Sequence, residues 1–330
     1  MRSDPAADRT RRRGWILALI AVVAGSCAAL HRPPAVRGLP VDDPEAPFSA
    51  VWIGHATVLL RLGEVHLLTD PNLNGTLYVV PRHTPPSVTV RELPFVHAAI
   101  ASHMHFDHFD RPTIRSLLPT TALFYPAGGE PYAGSLPQER REALAPWQTV
   151  RVADVEITAV PVQHFGGRYG FDAMWNDAYT GYVIRGAGHT IFFAGDTGYH
   201  PAIFREIGER FPGIDVAFVP IAPYRAGRWG NPMHANPTEA LAIFRDVGAR
   251  YMIPIHFEAY YADWSGYDTP RADLLRSARW QGLADRVHAL YPGERFVLPA
   301  AGGRPWVTRE PQRRGLFRSA AAIPRGRTER

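Results

Sequence analysis

Apolar residues gather in short runs along this chain, and their alternation with polar stretches predicts most of its elements. AVWIG (50–54), TVLLRL (57–62) and VHLLT (65–69) are β-type runs separated by tight, Gly-containing breaks, the pattern of a meander. Beyond them, strand-like HAAIAS, ALFY, VEITAV, YVIRG, HTIFFAG, VAFVPI, YMIPI and RFVLP alternate with helix-like RPTIRSLL, PQERREALA, PAIFREIGERF, NPTEALAIFRDVG and RADLLRSARWQGLA. Such alternation predicts an α/β fold of layered sheets in one domain, residues 41–303, with no fixed-period repeat and no linker. Residues 304–330 lack periodicity and read as a basic, disordered tail.

Residues 1–40 form a signal or anchor segment and linker. Arg9, Arg11, Arg12 and Arg13 precede GWILALIAVVAGSCAAL (14–30), and Pro33 and Pro34 then stop any helix. The apolar run sits at the lower edge of the roughly 17–25 residues that span a bilayer. Three outcomes stay open: a cleaved signal, an uncleaved anchor, or a lipoprotein signal in which Cys27, the single cysteine, is acylated. The consecutive arginines also resemble a twin-arginine signal. All of these place the body in the cell envelope, and a body without cysteine needs no disulfide there.

The formal charge of +5 is unevenly spread. Residues 1–40 hold seven Arg against two acids and residues 304–330 eight against two, leaving 21 Arg against 27 acids between them. An acidic body with basic ends argues against a nucleic-acid groove on the body and for tails that meet anionic lipid or nothing at all.

The chemistry starts at SHMHFDHFD (102–110), with three histidines and two aspartates in nine positions. Asp110 is placed to cap a helix from residue 111, so His103 to His108 fill a strand-to-helix turn. In extended chain His103 and His105 point the same way, and the turn lets Asp107 and His108 converge nearby. Imidazoles and a carboxylate crowded together need a cation to organise them. Other strand ends supply partners: His164 after VPVQ, Asp196 in FFAGDTGY and His256 closing YMIPIH. Seven groups, five of them histidine, suit two ions sharing a carboxylate.

The set GHAT…TDP, SHMHFDHFD, QH, FFAGDTGY and IPIH resembles the metallo-β-lactamase superfamily. Residues 50 to about 300 are most similar to its branch containing the N-acyl-phosphatidylethanolamine-hydrolysing phospholipase D. The segments that carry this are FFAGDTGYHPAIFREIGERFPGIDVAFVPIAPYRAGRW and MHANPTEAL. The resemblance implies an αβ/βα four-layer sandwich. It implies one zinc on His103, His105 and His164, another on Asp107, His108 and His256, and Asp196 between them. It also implies that His234 is a non-ligand residue at the substrate phosphate. The chain departs from the branch at HFEAY (256–260) and NDAYTGYVI (176–184), both near the expected substrate.

The expected activity is that of a two-zinc phosphodiesterase acting on a phospholipid, with iron or manganese as alternative metals. A water shared by two ions ionises near pH ~7 and would be the nucleophile. Asp107 would orient it, and His234 would donate to a phosphoryl or leaving oxygen. Arg225, Arg228 and Tyr224 are candidate substrate contacts. The main alternative is a di-metal lactonase or β-lactamase-like hydrolase of a carbon ester or amide. A nuclease and an inert metal-binding scaffold are further alternatives. His55 and Asp70 are expected to hold ligands in orientation. His66, His83, His97, His189, His200 and His288 are read as structural. Tyr224, Trp229, Tyr260, Tyr261, Trp264 and Tyr267 flank the expected pocket, where they could receive acyl chains.

Overall fold

The computed structural model describes residues 37–40, 42–77, 80–169, 172, 176–224, 232–260, 269–300 and 303–309. Cys27 and the rest of residues 1–36, where the sequence predicts an export segment, Arg225, Arg228, Trp229, Tyr261, Trp264, Tyr267 and residues 310–330 lie outside them.

Two sheets face each other. The first runs in the order β16 (Trp306–Thr308), β15 (Arg295–Leu298), β1 (Phe48–Gly54), β2 (Thr57–Leu62), β3 (Val65–Thr69), β6 (Ala98–Ile100), β7 (Ala122–Pro126), β8 (Arg141–Leu144). The second runs β14 (Tyr251–Ile255), β13 (Val216–Pro220), β12 (His189–Phe193), β11 (Gly181–Gly186), β10 (Val155–Val160), β9 (Thr149–Val152). A small ribbon pairs β4 (Thr76–Leu77) with β5 (Val80–Pro81).

The first sheet is buried on both faces, and side-chain alternation explains how. Phe48, Ala50, Trp52, Leu60, Leu67, Ile100 and Phe124 point into the core between the sheets, against Ile157, Tyr182, Phe193 and Phe218. Their neighbours Val51, Ile53, Leu59, Leu68, Ala99, Leu123 and Tyr125 point the other way, onto Ile114 of the helix Arg111–Ser116. Helices Pro201–Arg210, Pro237–Asp246 and Thr269–Trp280 cover the second sheet through Phe204, Leu241, Phe244 and Leu274. The helix from Pro237 starts at a capping box: Asn236 accepts from Thr238 N and Glu239 N at 2.9 and 3.0 Å. These layers, helix–sheet–sheet–helix, are those of the αβ/βα sandwich.

Two expectations fail locally. PQERREALA is not a helix: Arg141–Leu144 is the parallel edge strand β8, in register with Leu123 to Pro126. Leu144 fills the inter-sheet core and Ala143 packs on the opposite face, so pairing with the open edge of β7 overrides helix propensity. The chain also stays ordered past residue 304. Trp306–Thr308 pairs antiparallel with β15, and Val307 packs against the core.

Parallel runs set the position of the site. β3, β6, β7 and β8 are mutually parallel, as are β12, β13 and β14, and β10 runs in the direction of β12. The loops after β3, β6, β10, β12 and β14 converge at one rim. There Thr180 N donates to Ser102 O at 2.8 Å and Tyr182 Oη to Ala101 O at 2.8 Å, tying the two sheets together.

Candidate metal centre

Close backbone approach brings the loops into contact. Gly195 has φ +61, and a Cβ there would lie 2.2 Å from the Ser102 Cβ. A Cβ on Gly198 would lie 1.8 Å from Pro232 O. Only glycine at both places lets the turn bearing Asp196 touch the loop of His103 on one side and the turn before His234 on the other. Asp110 caps its helix as expected, accepting from Thr113 N at 3.0 Å, and so ends the histidine loop at a fixed point.

The seven expected ligands meet here, with His55 and His234 beside them. His103, His105 and His164 form one group whose ring nitrogens lie within 4.8 Å of one another. Asp107, His108 and His256 form a second, joined by His55. Asp196 stands between: its Oδ2 is 3.2 Å from His108 Nε2, 3.0 Å from His256 Nε2 and 4.0 Å from His164 Nε2. Asp107 Oδ2 lies 3.5 Å from both His108 Nε2 and His256 Nε2. His234 approaches from a further side, with Nδ1 3.6 Å from Asp196 Oδ2.

The rear nitrogen of four rings is held, which aims the front one. His164 Nδ1 donates to Met233 O at 2.9 Å and His256 Nδ1 to Ala222 O at 2.8 Å. Carbonyls only accept, so Nδ1 carries a proton and Nε2 is aimed at the centre, where it is the atom a metal would take. His108 Nδ1 donates to Asp70 Oδ2 at 2.7 Å. Ser102 Oγ donates to the same Asp70 oxygen at 2.8 Å, so it must accept from His103 Nδ1, also 2.8 Å away. Asp70 thereby orients one ligand of each group.

Burial and charge act against each other. Burial lowers His103 well below the ordinary histidine value and takes His164 to about 3, so both are neutral donors of lone pairs. Burial also opposes charge on His108, but Asp196, Asp107 and Asp70 outweigh it and raise His108 well above 6.5. His256 is likewise raised to about 9 by Asp196 and Asp107 against its burial. Burial would push the Asp196 carboxyl up; His108 and His256 instead hold it well below the ordinary range. Two carboxylates here demand positive charge.

A cation answers that demand. Among the described residues, His108 Nε2, His164 Nε2, His256 Nε2 and Asp196 Oδ1 are buried without a hydrogen-bond partner. Unsatisfied buried nitrogens and oxygens are costly unless a ligand takes them. Imidazole and carboxylate donors arranged in this way fit first-row divalent metals.

Some neighbours escaped the sequence reading. Ser102 links Asp70 to His103, and only its place beside the loop hints at it. Arg168 donates through NH1 to Met104 O at 2.9 Å and Phe109 O at 2.8 Å, fixing both ends of the histidine loop. No local pattern marks that contact. Asn72 Nδ2 donates to Asp107 O at 2.8 Å. His55 reaches Asp107 directly, with Nε2 3.0 Å from Oδ2. Tyr224 is buried, its hydroxyl bonded to Asp273. His189 Nδ1 lies 3.1 Å from Asp215 Oδ2 and His288 packs on Phe296, both far from the centre in the fold. His200 starts the helix Pro201–Arg210. His97 Nδ1 accepts from His66 N at 3.1 Å, and His83 N bonds Ala259 O at 2.8 Å.

Residues 66–257 match the beta-lactamase superfamily domain. The chain is 29% identical over 265 residues to the N-acyl-phosphatidylethanolamine-hydrolyzing phospholipase D 1 of Caenorhabditis elegans, covering 73% of each protein. It is 30% identical over 313 residues to a metal-dependent hydrolase of Cupriavidus necator, covering 87% of this chain and 99% of that one. The solved isothiocyanate hydrolase from Delia radicum gut bacteria superposes with a TM-score of 0.64 at 18% identity, over 76% of this chain and all of that one. At that identity the likeness concerns the fold.

Proposed function

The chain belongs to the β-lactamase superfamily and is a metal-dependent hydrolase, and from that premise we propose that it is a two-zinc phosphodiesterase of the phospholipase D type. Its substrate would be N-acyl-phosphatidylethanolamine or a related phospholipid. The observation that carries the two-ion part is Asp196, whose Oδ2 is shared between the His108–His256 side and the His164–His234 side. The phospholipase chemistry is drawn from the nematode relative, similar over 73% of both chains.

When bound, two such ions neutralise an anionic phosphoryl group and lower the pKa of water toward ~7. The chain's own residues prepare for that. Asp107 and Asp196, both held ionised, supply the negative charge that retains cations. His103, His164, His108 and His256 are fixed from behind and cannot swing away. His234, lowered to about 4 chiefly by burial, is neutral at pH 7 and offers a hydrogen bond to a phosphoryl oxygen without adding charge. The apolar run 14–30 would export the protein and set the site beside membrane lipid. Among the described residues no helix is long and apolar enough to cross a membrane.

The test is incubation of zinc-loaded protein with vesicles containing N-acyl-phosphatidylethanolamine, with products identified by mass spectrometry. Release of N-acylethanolamine and phosphatidic acid is expected. Intact phospholipid alongside a hydrolysed lactone would select the carbon-ester alternative instead.

A further inference from the structure

Tyr260 ends HFEAY, one of the two stretches where this chain departs from the branch it resembles. The residue is half-buried, and its ring meets His55 edge-on at 5.1 Å between centroids. His55 in turn contacts Asp107 at 3.0 Å, so Tyr260 stands one residue behind the second metal group. Its hydroxyl is placed by Asn72, whose Nδ2 donates to Tyr260 Oη at 3.0 Å and to Asp107 O at 2.8 Å. A single side-chain amide thus fixes the phenol beside the backbone of a metal-group residue.

That hydrogen bond uses a lone pair of the hydroxyl and, among the described residues, leaves its proton uncommitted. Asn72 Oδ1, the nearest acceptor on the same side chain, has no partner, so the proton does not go there. Behind the ring lies Arg82, buried, with its guanidinium 5.4 Å from the ring centre and NH1 bonded to Asn72 O at 2.8 Å. Among the described residues, Arg82 Nε and NH2 have no hydrogen-bond partner. A fixed cation at the back of a phenol favours negative charge in front of it. His234 approaches Asp196 while Tyr260 stands on the Asp107 side, so the two donors flank the centre.

We propose that the Tyr260 hydroxyl is a substrate-binding residue of this site, donating a hydrogen bond to an anionic oxygen of the substrate, which on the phosphodiesterase reading is a phosphoryl oxygen. The proton stays on the phenol; no bond is made or broken at Tyr260. The inference rests on that reading, and inorganic phosphate is the probe that separates the two.

Calorimetric titration of zinc-loaded wild type and Tyr260→Phe with inorganic phosphate, alongside zinc content, tests it. Phenylalanine keeps the ring against His55 and Arg82 and removes only the hydroxyl. Expected is unchanged zinc content with phosphate bound about tenfold more weakly, the loss of one charge-assisted hydrogen bond. Equal phosphate affinity in the two proteins overturns the proposal and leaves the phosphodiesterase reading standing. A Tyr260→Phe protein that has lost its zinc assigns the residue a structural part and overturns the proposal as well. Wild type that binds no phosphate overturns the reading and the proposal together.

Discussion

His108 donates through Nδ1 to Asp70 Oδ2 at 2.7 Å, and both side chains are wholly buried. Asp70 also accepts from Ser102 N at 2.6 Å and Ser102 Oγ at 2.8 Å, so one carboxylate holds the loop of residues 102–108 from behind. Its backbone is itself unusual, with φ +35. His55 at φ +57 and His256 at φ +60 share that left-handed conformation, so strain is concentrated around the centre.

Asp70→Asn keeps the shape of this side chain but removes its charge and one acceptor. Metal affinity should fall about 10- to 100-fold, as for other residues that support metal-binding histidines. Titration against a competing chelator measures it, and an unchanged affinity means Asp70 does not orient the ligands.

Asp196→Ala removes the oxygen shared by both groups. Elemental analysis should find one or both ions lost, and turnover should vanish. Full activity in this variant is incompatible with a shared carboxylate.

His234→Ala should retain the metals and slow phosphodiester cleavage about 10²- to 10⁴-fold, the usual range for a lost acid–base or hydrogen-bonding group. An unaltered rate would remove His234 from the chemistry.

Metal affinity should rise with pH. In the metal-free protein His108 is raised well above 6.5 and His256 to about 9, so binding must expel protons from both. Affinity therefore rises with pH up to at least about 9, where His256 becomes neutral unaided. Chelator competition across that range reads the slope; a flat profile shows that neither proton is displaced.

Glu258 follows His256 by two positions, has φ +58, and pairs with Arg271 through two bonds of 2.6 and 2.9 Å. Glu258→Ala leaves a buried guanidinium without its carboxylate, a loss of about 3–5 kcal/mol. Denaturant unfolding measures it, and a change near zero would show that Arg271's bonds to Ala289 O and Leu290 O suffice.

The sequence made the ligand set legible because each member follows an apolar run: His103 after β6, His164 after β10, Asp196 after β12, His256 after β14. Strand ends gather at one rim whatever the intervening loops do, so proximity could be argued without coordinates. The layered fold was legible for the same reason. What stayed hidden depends on distant partners. Arg168 reaches 64 and 59 positions back to Met104 and Phe109, and Asn72 reaches 188 positions forward to Tyr260. No local period encodes such contacts. PQERREALA shows the converse, a helix-like stretch turned into strand by the open edge of β7.

The most direct measurement is anomalous diffraction at the zinc edge from crystals of the zinc-loaded protein. Two peaks roughly 3.5–4 Å apart on either side of Asp196 are expected, one against His103, His105 and His164, the other against Asp107, His108 and His256. One peak alone, or peaks away from Asp196, would contradict a carboxylate shared by two cations.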